Sequence, residues 1–115
     1  VEKAMPREID VLQGTLDLLI LKTLSWGWMH GYSVLAKLRE ATGQILRVED
    51  AAVYPALHRL EERGLIESEW GVSENNRRAR FYRLTPAGRK TLGAEARSWN
   101  RYVEMVARVL SQSPV

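Results

Sequence analysis

Leu12, Leu16, Leu19, Ile20 and Leu24 fall on one stripe at helical spacing, and Leu18 and Leu21 widen it. The pattern predicts a nearly buried core helix over about 11–25. Trp26, Gly27 and Trp28 break it, and His30-Gly31-Tyr32 opens a second helix with Val34, Leu35 and Leu38 on its apolar face and an end near Gly43. His30 is expected to cap that helix or pack beside Trp28, not to ligate a metal or catalyse. A short connection over 44–49 leads to Asp50, placed to cap a third helix that carries Val53, Leu57 and Leu60 and stops at Gly64. Proline is tolerated only near a helix start, so Pro55 implies either a late start or an irregular first turn, with the boundary at 50–53.

The period then changes. Ile66, Ser68, Trp70 and Val72 alternate with Glu67 and Glu69, and a second alternating run covers 79–84. Between them Ser73-Glu74-Asn75-Asn76-Arg77-Arg78 suits a hairpin tip, since Asn tolerates positive φ. Two strands alone are marginal in water, so Trp70, Tyr82 and Leu84 are expected to pack one face onto the helices. Thr85-Pro86 supplies an N-cap hydroxyl and a proline at the first helical position, the start of a long helix. Within it Leu92, Ala96, Trp99, Val103, Val106 and Leu110 recur at alternating spacings of 4 and 3, a heptad seam. A 25-residue helix reaches roughly 40 Å, longer than the preceding domain is wide, so the seam is expected to meet a second copy. These elements divide the chain into a region over 1–84 and a dimerisation helix over 85–115.

Composition narrows the chemistry. With 115 residues, 45% hydrophobic and 27% charged, the chain has the balance of one globular domain. The absence of cysteine excludes disulfides, thiolate metal sites and a thiol nucleophile. Two histidines, His30 and His58, leave little for an imidazole metal cluster, and no cofactor is implied. No paired carboxylates, nucleophile motif or phosphate-cradling glycine loop appears, which argues against an enzyme. The longest apolar run, Leu18 to Leu21, is far too short for a membrane span, and no basic-then-apolar leader opens the chain. A cytoplasmic location is the expectation.

The net charge of +3 is unevenly distributed. Residues 1–76 carry 8 Lys+Arg against 12 Asp+Glu, a balance of −4, whereas residues 77–115 carry 9 against 2, a balance of +7. The change begins at the expected hairpin tip, where Arg77, Arg78, Arg80 and Arg83 fall within seven residues beside Asn75 and Asn76. By alternation Arg83 shares a face with Phe81 and is placed to pair across the hairpin with Glu67 or Glu69.

The fold class is therefore mainly α with a small antiparallel β-hairpin. Three helices, a hairpin and a long helix form the order of a winged helix-turn-helix, whose third helix enters the DNA major groove while the hairpin reaches the adjacent backbone. Guanidinium forks bind phosphate oxygens bidentately and Asn amides reach phosphates or base edges. Arg77 and Arg78 are the better phosphate ligands, with Arg80 intermediate. With Leu57 at the centre of the buried stripe, a rotation of 100° per residue turns Tyr54, Pro55, His58, Arg59 and Glu62 outward. Tyr54, His58 and Arg59 are the candidate readers, and the acidic Glu61 and Glu62 imply that the N-terminal half of the helix points into the groove. The amides near Gly31 and Tyr32 at the start of the second helix are a further phosphate site. A winged helix that binds an acidic protein instead of DNA is the alternative.

Four segments together resemble one family: the run Leu12-Gln13-Gly14-Thr15-Leu16-Asp17-Leu18-Leu19-Ile20-Leu21, then His30-Gly31-Tyr32, then Val53-Tyr54-Pro55-Ala56-Leu57-His58-Arg59-Leu60-Glu61-Glu62-Arg63-Gly64-Leu65-Ile66, and finally Arg80-Phe81-Tyr82-Arg83-Leu84-Thr85-Pro86-Ala87-Gly88-Arg89. They resemble the PadR family of bacterial transcriptional regulators, in register over roughly 12–110. The resemblance implies a homodimeric winged-helix repressor of an inverted-repeat operator, of the short subgroup with a single C-terminal dimerisation helix. In some short members a tryptophan on that helix stacks on planar aromatic compounds. Trp99 falls at the matching place and also on the seam, so a small aromatic inducer and plain dimer core are both open for it.

Overall fold

A computed structural model describes residues 8–12 and 14–114. Gln13 of the first quoted segment, and residues 1–7 and 115 of the expected division, lie outside the described residues. The order of elements is β1 (Ile9–Asp10), α1 (Leu16–Leu24), β2 (Met29–His30), α2 (Gly31–Ala41), β3 (Leu46–Arg47), α3 (Asp50–Glu62), β4 (Ile66–Val72), β5 (Arg78–Leu84) and α4 (Pro86–Leu110). The chain is mainly helical with a small antiparallel sheet, and no helix among the described residues is long and apolar enough to cross a membrane.

α1 begins later than the leucine stripe suggests. The backbone N–H and the hydroxyl of Thr15 both donate to the Leu12 carbonyl, at 3.0 and 2.7 Å, closing a turn in front of the helix. Leu12 is consequently outside α1 and exposed. Ile20, Leu21 and Leu24 are buried, while Leu16 and Leu19 pack at the margin of the core. α2 is capped by His30, whose Nδ1 accepts from the Ser33 backbone N–H at 3.3 Å. Its Val34, Leu35 and Leu38 meet α1 and α3, as the periodicity predicts.

α3 runs unbroken from Asp50 to Glu62 with Pro55 inside it, in the second turn. Neither the late start nor a cap by Asp50 is found. Glu49 occupies the N-cap without a side-chain bond to the helix, and the Asp50 carboxylate accepts from Arg39 Nη2 at 2.9 Å. Pro55 gives up one helical hydrogen bond, and its exposed position leaves solvent to satisfy the carbonyl one turn back. Val53, Ala56, Leu57 and Leu60 form the buried face, at the centre of one core that also takes Leu65, Ile66, Tyr82 and Leu84.

The strands pair antiparallel in the register Ile66↔Leu84 to Val72↔Arg78. β2 adds a third, two-residue strand on the far side of β5, with Met29 opposite Tyr82 and His30 opposite Phe81. β1 and β3 form a separate parallel pair. These two short strands and β2 have no periodicity to announce them, because two residues cannot alternate detectably.

α4 is anchored at its start. Thr85 Oγ1 accepts from the Gly88 N–H at 3.0 Å and donates to the Gly64 carbonyl at 2.7 Å, which joins the α4 N-cap to the end of α3. From there α4 crosses α1 and runs on: every residue from Arg101 to Leu110 is exposed, and the molecule measures 60 Å in its longest dimension.

Candidate nucleic-acid interface

The N-terminus of α2, the N-terminal half of α3 and the β4–β5 hairpin enclose an open groove of about 900 Å³. Tyr32 and Ser33 come from α2, Tyr54 from α3, and Trp70, Asn75, Arg77, Arg78 and Arg80 from the hairpin. Tyr32 and Tyr54 are both more than half exposed. The two helices approach closely here because α2 starts with glycine, and the Tyr54 ring lies directly against Gly31.

The hairpin tip is built by its polar residues. Ser73 N–H donates to the Arg77 carbonyl at 2.7 Å and Asn76 N–H to the Ser73 carbonyl at 2.8 Å, with Asn76 in the left-handed region at φ +58°. Asn75, Asn76, Arg77 and Arg78 are all exposed. The outward face of the sheet is closed by an ion pair, Arg83 Nε to Glu67 Oε2 at 2.8 Å, with the Arg83 guanidinium 4.5 Å from the Trp28 ring centroid. Arg83 is thus held in the sheet, as the strand alternation anticipates.

Alternation also places Trp70 on the inner face with Tyr82 and Leu84, and here the expected packing is not found. Tyr82 and Leu84 are buried, but Trp70 is 56% exposed. It lies further toward the tip, past the helical layer, where its indole sits under the Arg78 and Arg80 guanidinium groups at 4.4 and 5.5 Å. The residue read as core therefore lines the groove.

A second cleft, between α3 and the base of the hairpin, collects His58, Glu61, Glu62, Arg80 and Tyr82 beside Tyr54. Ser68 Oγ donates to Glu61 Oε2 at 2.6 Å and accepts from Arg80 Nε at 2.9 Å, and Arg80 Nη2 lies 3.5 Å from the same carboxylate. This chain ties the hairpin to the C-terminal half of α3. His58 Nε2 is 3.6 Å from Glu62 Oε2. Burial pushes the Tyr82 phenol up from its ordinary value, with Arg80 opposing, so the hydroxyl stays neutral at physiological pH.

Arg59 does not join the groove: its Nη2 donates to Asp17 Oδ1 on α1 at 2.8 Å. Pro55 is exposed on α3 beside Tyr54. Of the residues missed from sequence, Ser68 gave no signal because a lone serine on a strand has no distinctive spacing. Glu61 was visible only as a charge unsuited to phosphate. No group of three or more His, Asp or Glu suited to a metal occurs among the described residues.

A winged helix with a basic hairpin beside an exposed face of its third helix defines a DNA-binding transcriptional regulator. The model of the Transcriptional regulator PadR-like family matches residues 20–94, and the chain belongs to that family. A transcriptional regulator from Clostridium thermocellum superposes with a TM-score of 0.76 at 29% identity, over 84% of this chain and 91% of that one. A PadR-like transcriptional regulator from Bacillus cereus gives a TM-score of 0.75 at 26% identity, over 89% and 97%. A transcriptional regulator of Mycobacterium tuberculosis is 48% identical over 52 residues, 45% of this chain and 48% of that protein.

Proposed function

We propose that the chain is a homodimeric repressor that binds an inverted-repeat operator and is released by an inducer. The observation that carries this reading is the groove in which Tyr32, Tyr54, Asn75, Arg77, Arg78 and Arg80 converge from three elements. In it Arg77 and Arg78 bind phosphates, and Tyr54 there and His58 in the adjoining cleft read base edges from the exposed face of α3. Residues 1–84 are the DNA-binding unit and α4 within 85–115 is the dimerisation unit.

The dimer reading is supported by the exposed end of the seam, where Val103 is 44%, Val106 38% and Leu110 79% exposed in the single chain. Twofold pairing through α4 presents two α3 helices to half-sites about one DNA turn, roughly 34 Å, apart or a multiple of that. Trp99 is the residue this reading gives to a planar aromatic inducer. It is half-buried on the same face, with the Tyr102 ring centroid 6.2 Å away. A cytoplasmic location goes with the role.

The test is a gel shift on the DNA flanking the chain's own gene, with a mixed-sequence duplex as competitor at moderate salt. One retarded fragment that survives competition supports the reading. If every fragment is competed as easily as random DNA, sequence-specific repression is refuted.

A further inference from the structure

The hairpin carries a tryptophan that the core does not use. Trp70 pairs with Arg80 across the strands and is more than half exposed, while Ile66 and Leu84 on the same face are buried. Two guanidinium groups share its ring, but they differ in what else holds them. Arg80 is anchored to Ser68 and Glu61. Among the described residues Arg78 makes no ion pair, and its guanidinium carbon lies 4.4 Å from the indole centroid, nearer than that of Arg80 at 5.5 Å. Both arginines face the groove that Tyr32 and Tyr54 line from the other side.

We propose that Trp70 is a positioning residue for DNA binding: its indole is the platform that holds the Arg78 guanidinium ready for a phosphate of the strand running between the hairpin and α3. The proposal rests on the DNA-binding reading above and deepens it, the ligand being the sugar–phosphate backbone. A guanidinium stacked on a ring uses its flat face, which leaves its N–H edges free to donate to phosphate oxygens. An unsupported arginine must give up its rotamer freedom when it binds; one already resting on a ring gives up less. Arg80, partly neutralised by Glu61, fixes the hairpin and the ring below it, so the two arginines divide the work.

The phosphate interaction is independent of sequence, so the probe is a mixed-sequence duplex of about 30 base pairs at low salt, with binding of the full chain followed by fluorescence anisotropy. Trp70→Ala is expected to weaken binding roughly two- to fivefold for each hairpin engaged, the range of one exposed cation–π contact. Trp70→Phe restores most of the loss. Trp70→Leu, which keeps an apolar side chain on the strand without a π face, loses as much as Ala and guards against a folding defect. In an Arg78→Ala background the Trp70 substitution costs little more. Wild-type binding by the Leu variant overturns the proposal. So does a Trp70→Ala loss equally large with and without Arg78, because the ring would then touch DNA itself. If the wild-type chain does not bind the duplex at all, it is the DNA-binding reading that fails, and the platform with it.

Discussion

The ring of Tyr54 on α3 fills the space that a side chain on Gly31 of α2 would need: a Cβ built there meets Tyr54 Cε1 at 2.6 Å and the phenol oxygen at 2.9 Å. The obstacle is the far end of one exposed side chain, free to swing. Gly31→Ala is therefore expected to leave thermal stability within about 1 kcal/mol of wild type. It displaces the tyrosine from the groove, and DNA affinity falls by about fivefold or more, the scale of a single base or phosphate interaction. Melting curves and anisotropy titrations of the same preparation separate the two effects. An intact fold with undiminished affinity would remove Tyr54 from the DNA-binding surface.

Gly88 presents the opposite case. A Cβ at this position in α4 would run into the Leu65 backbone carbonyl oxygen, and the Thr85 cap holds the helix start in place. Backbone cannot swing aside, so Gly88→Ala must push α4 away from the turn that follows α3 or break the cap. A loss of about 3 kcal/mol is expected, readable as a lower denaturation midpoint in urea. A stability loss below about 1 kcal/mol would mean that α4 is not fixed to the core at its start.

These two glycines also mark where the sequence was legible. The periods of the helices and the hairpin, and the Thr85-Pro86 start of α4, were visible because each is a local signal, and they set the order of the four helices and the hairpin but not the three two-residue strands. What depends on distance between elements was not visible. Alternation put Trp70 on the inner face, but nothing in the strand tells how far along it the helices reach. Helix rotation turned Arg59 outward, but not toward Asp17, 42 residues earlier. The Arg80–Ser68–Glu61 chain likewise joins residues whose spacing says nothing until the hairpin is folded against α3.

Among the described residues, Arg77 and Arg78 stand at the exposed tip without the ion pairs that hold Arg80 and Arg83. Replacing both by Ala removes two cations from each hairpin. Affinity should fall for all sequences alike, and the slope of log affinity against log salt should shrink by about 0.9 for each phosphate no longer neutralised. The same substitution at Arg83 is expected to leave the slope unchanged, since its guanidinium is engaged by Glu67 and Trp28. Equal slopes for the Arg77/Arg78 variant and wild type would move phosphate binding elsewhere on the molecule.

His58 lies one turn beyond Tyr54 on the exposed face of α3, 3.6 Å from Glu62. A base reader changes which sequences are preferred, whereas a phosphate ligand changes all affinities together. His58→Ala is expected to alter the preferred bases at one or two positions of a selected operator, by about 1–3 kcal/mol of discrimination at each. Sequencing of DNA selected by both proteins measures it, and an unchanged preference would confine reading to Tyr54.

The seam on α4 makes the last prediction. Leu92, Ala96 and Trp99 are half-buried, Leu92 against the core, whereas Val103, Val106 and Leu110 continue the same face into solvent. The opposite face carries Arg97, Arg101 and Arg108, which is the polar side of an amphipathic helix. In a twofold dimer each residue of the seam is used twice, so one substitution acts in two places. Val106→Glu would bury two unpaired carboxylates at a cost of several kcal/mol each, enough to undo a modest interface. Sedimentation should then fall from twice the chain mass to the single 13.1 kDa chain. Arg101→Ala, on the far face, should leave the mass unchanged. DNA binding supplies the second reading: the Glu variant keeps its hairpin arginines, and with them weak non-specific affinity, while losing the gain from two linked half-sites. A Val106→Glu protein that remains dimeric would mean that the copies meet through another surface.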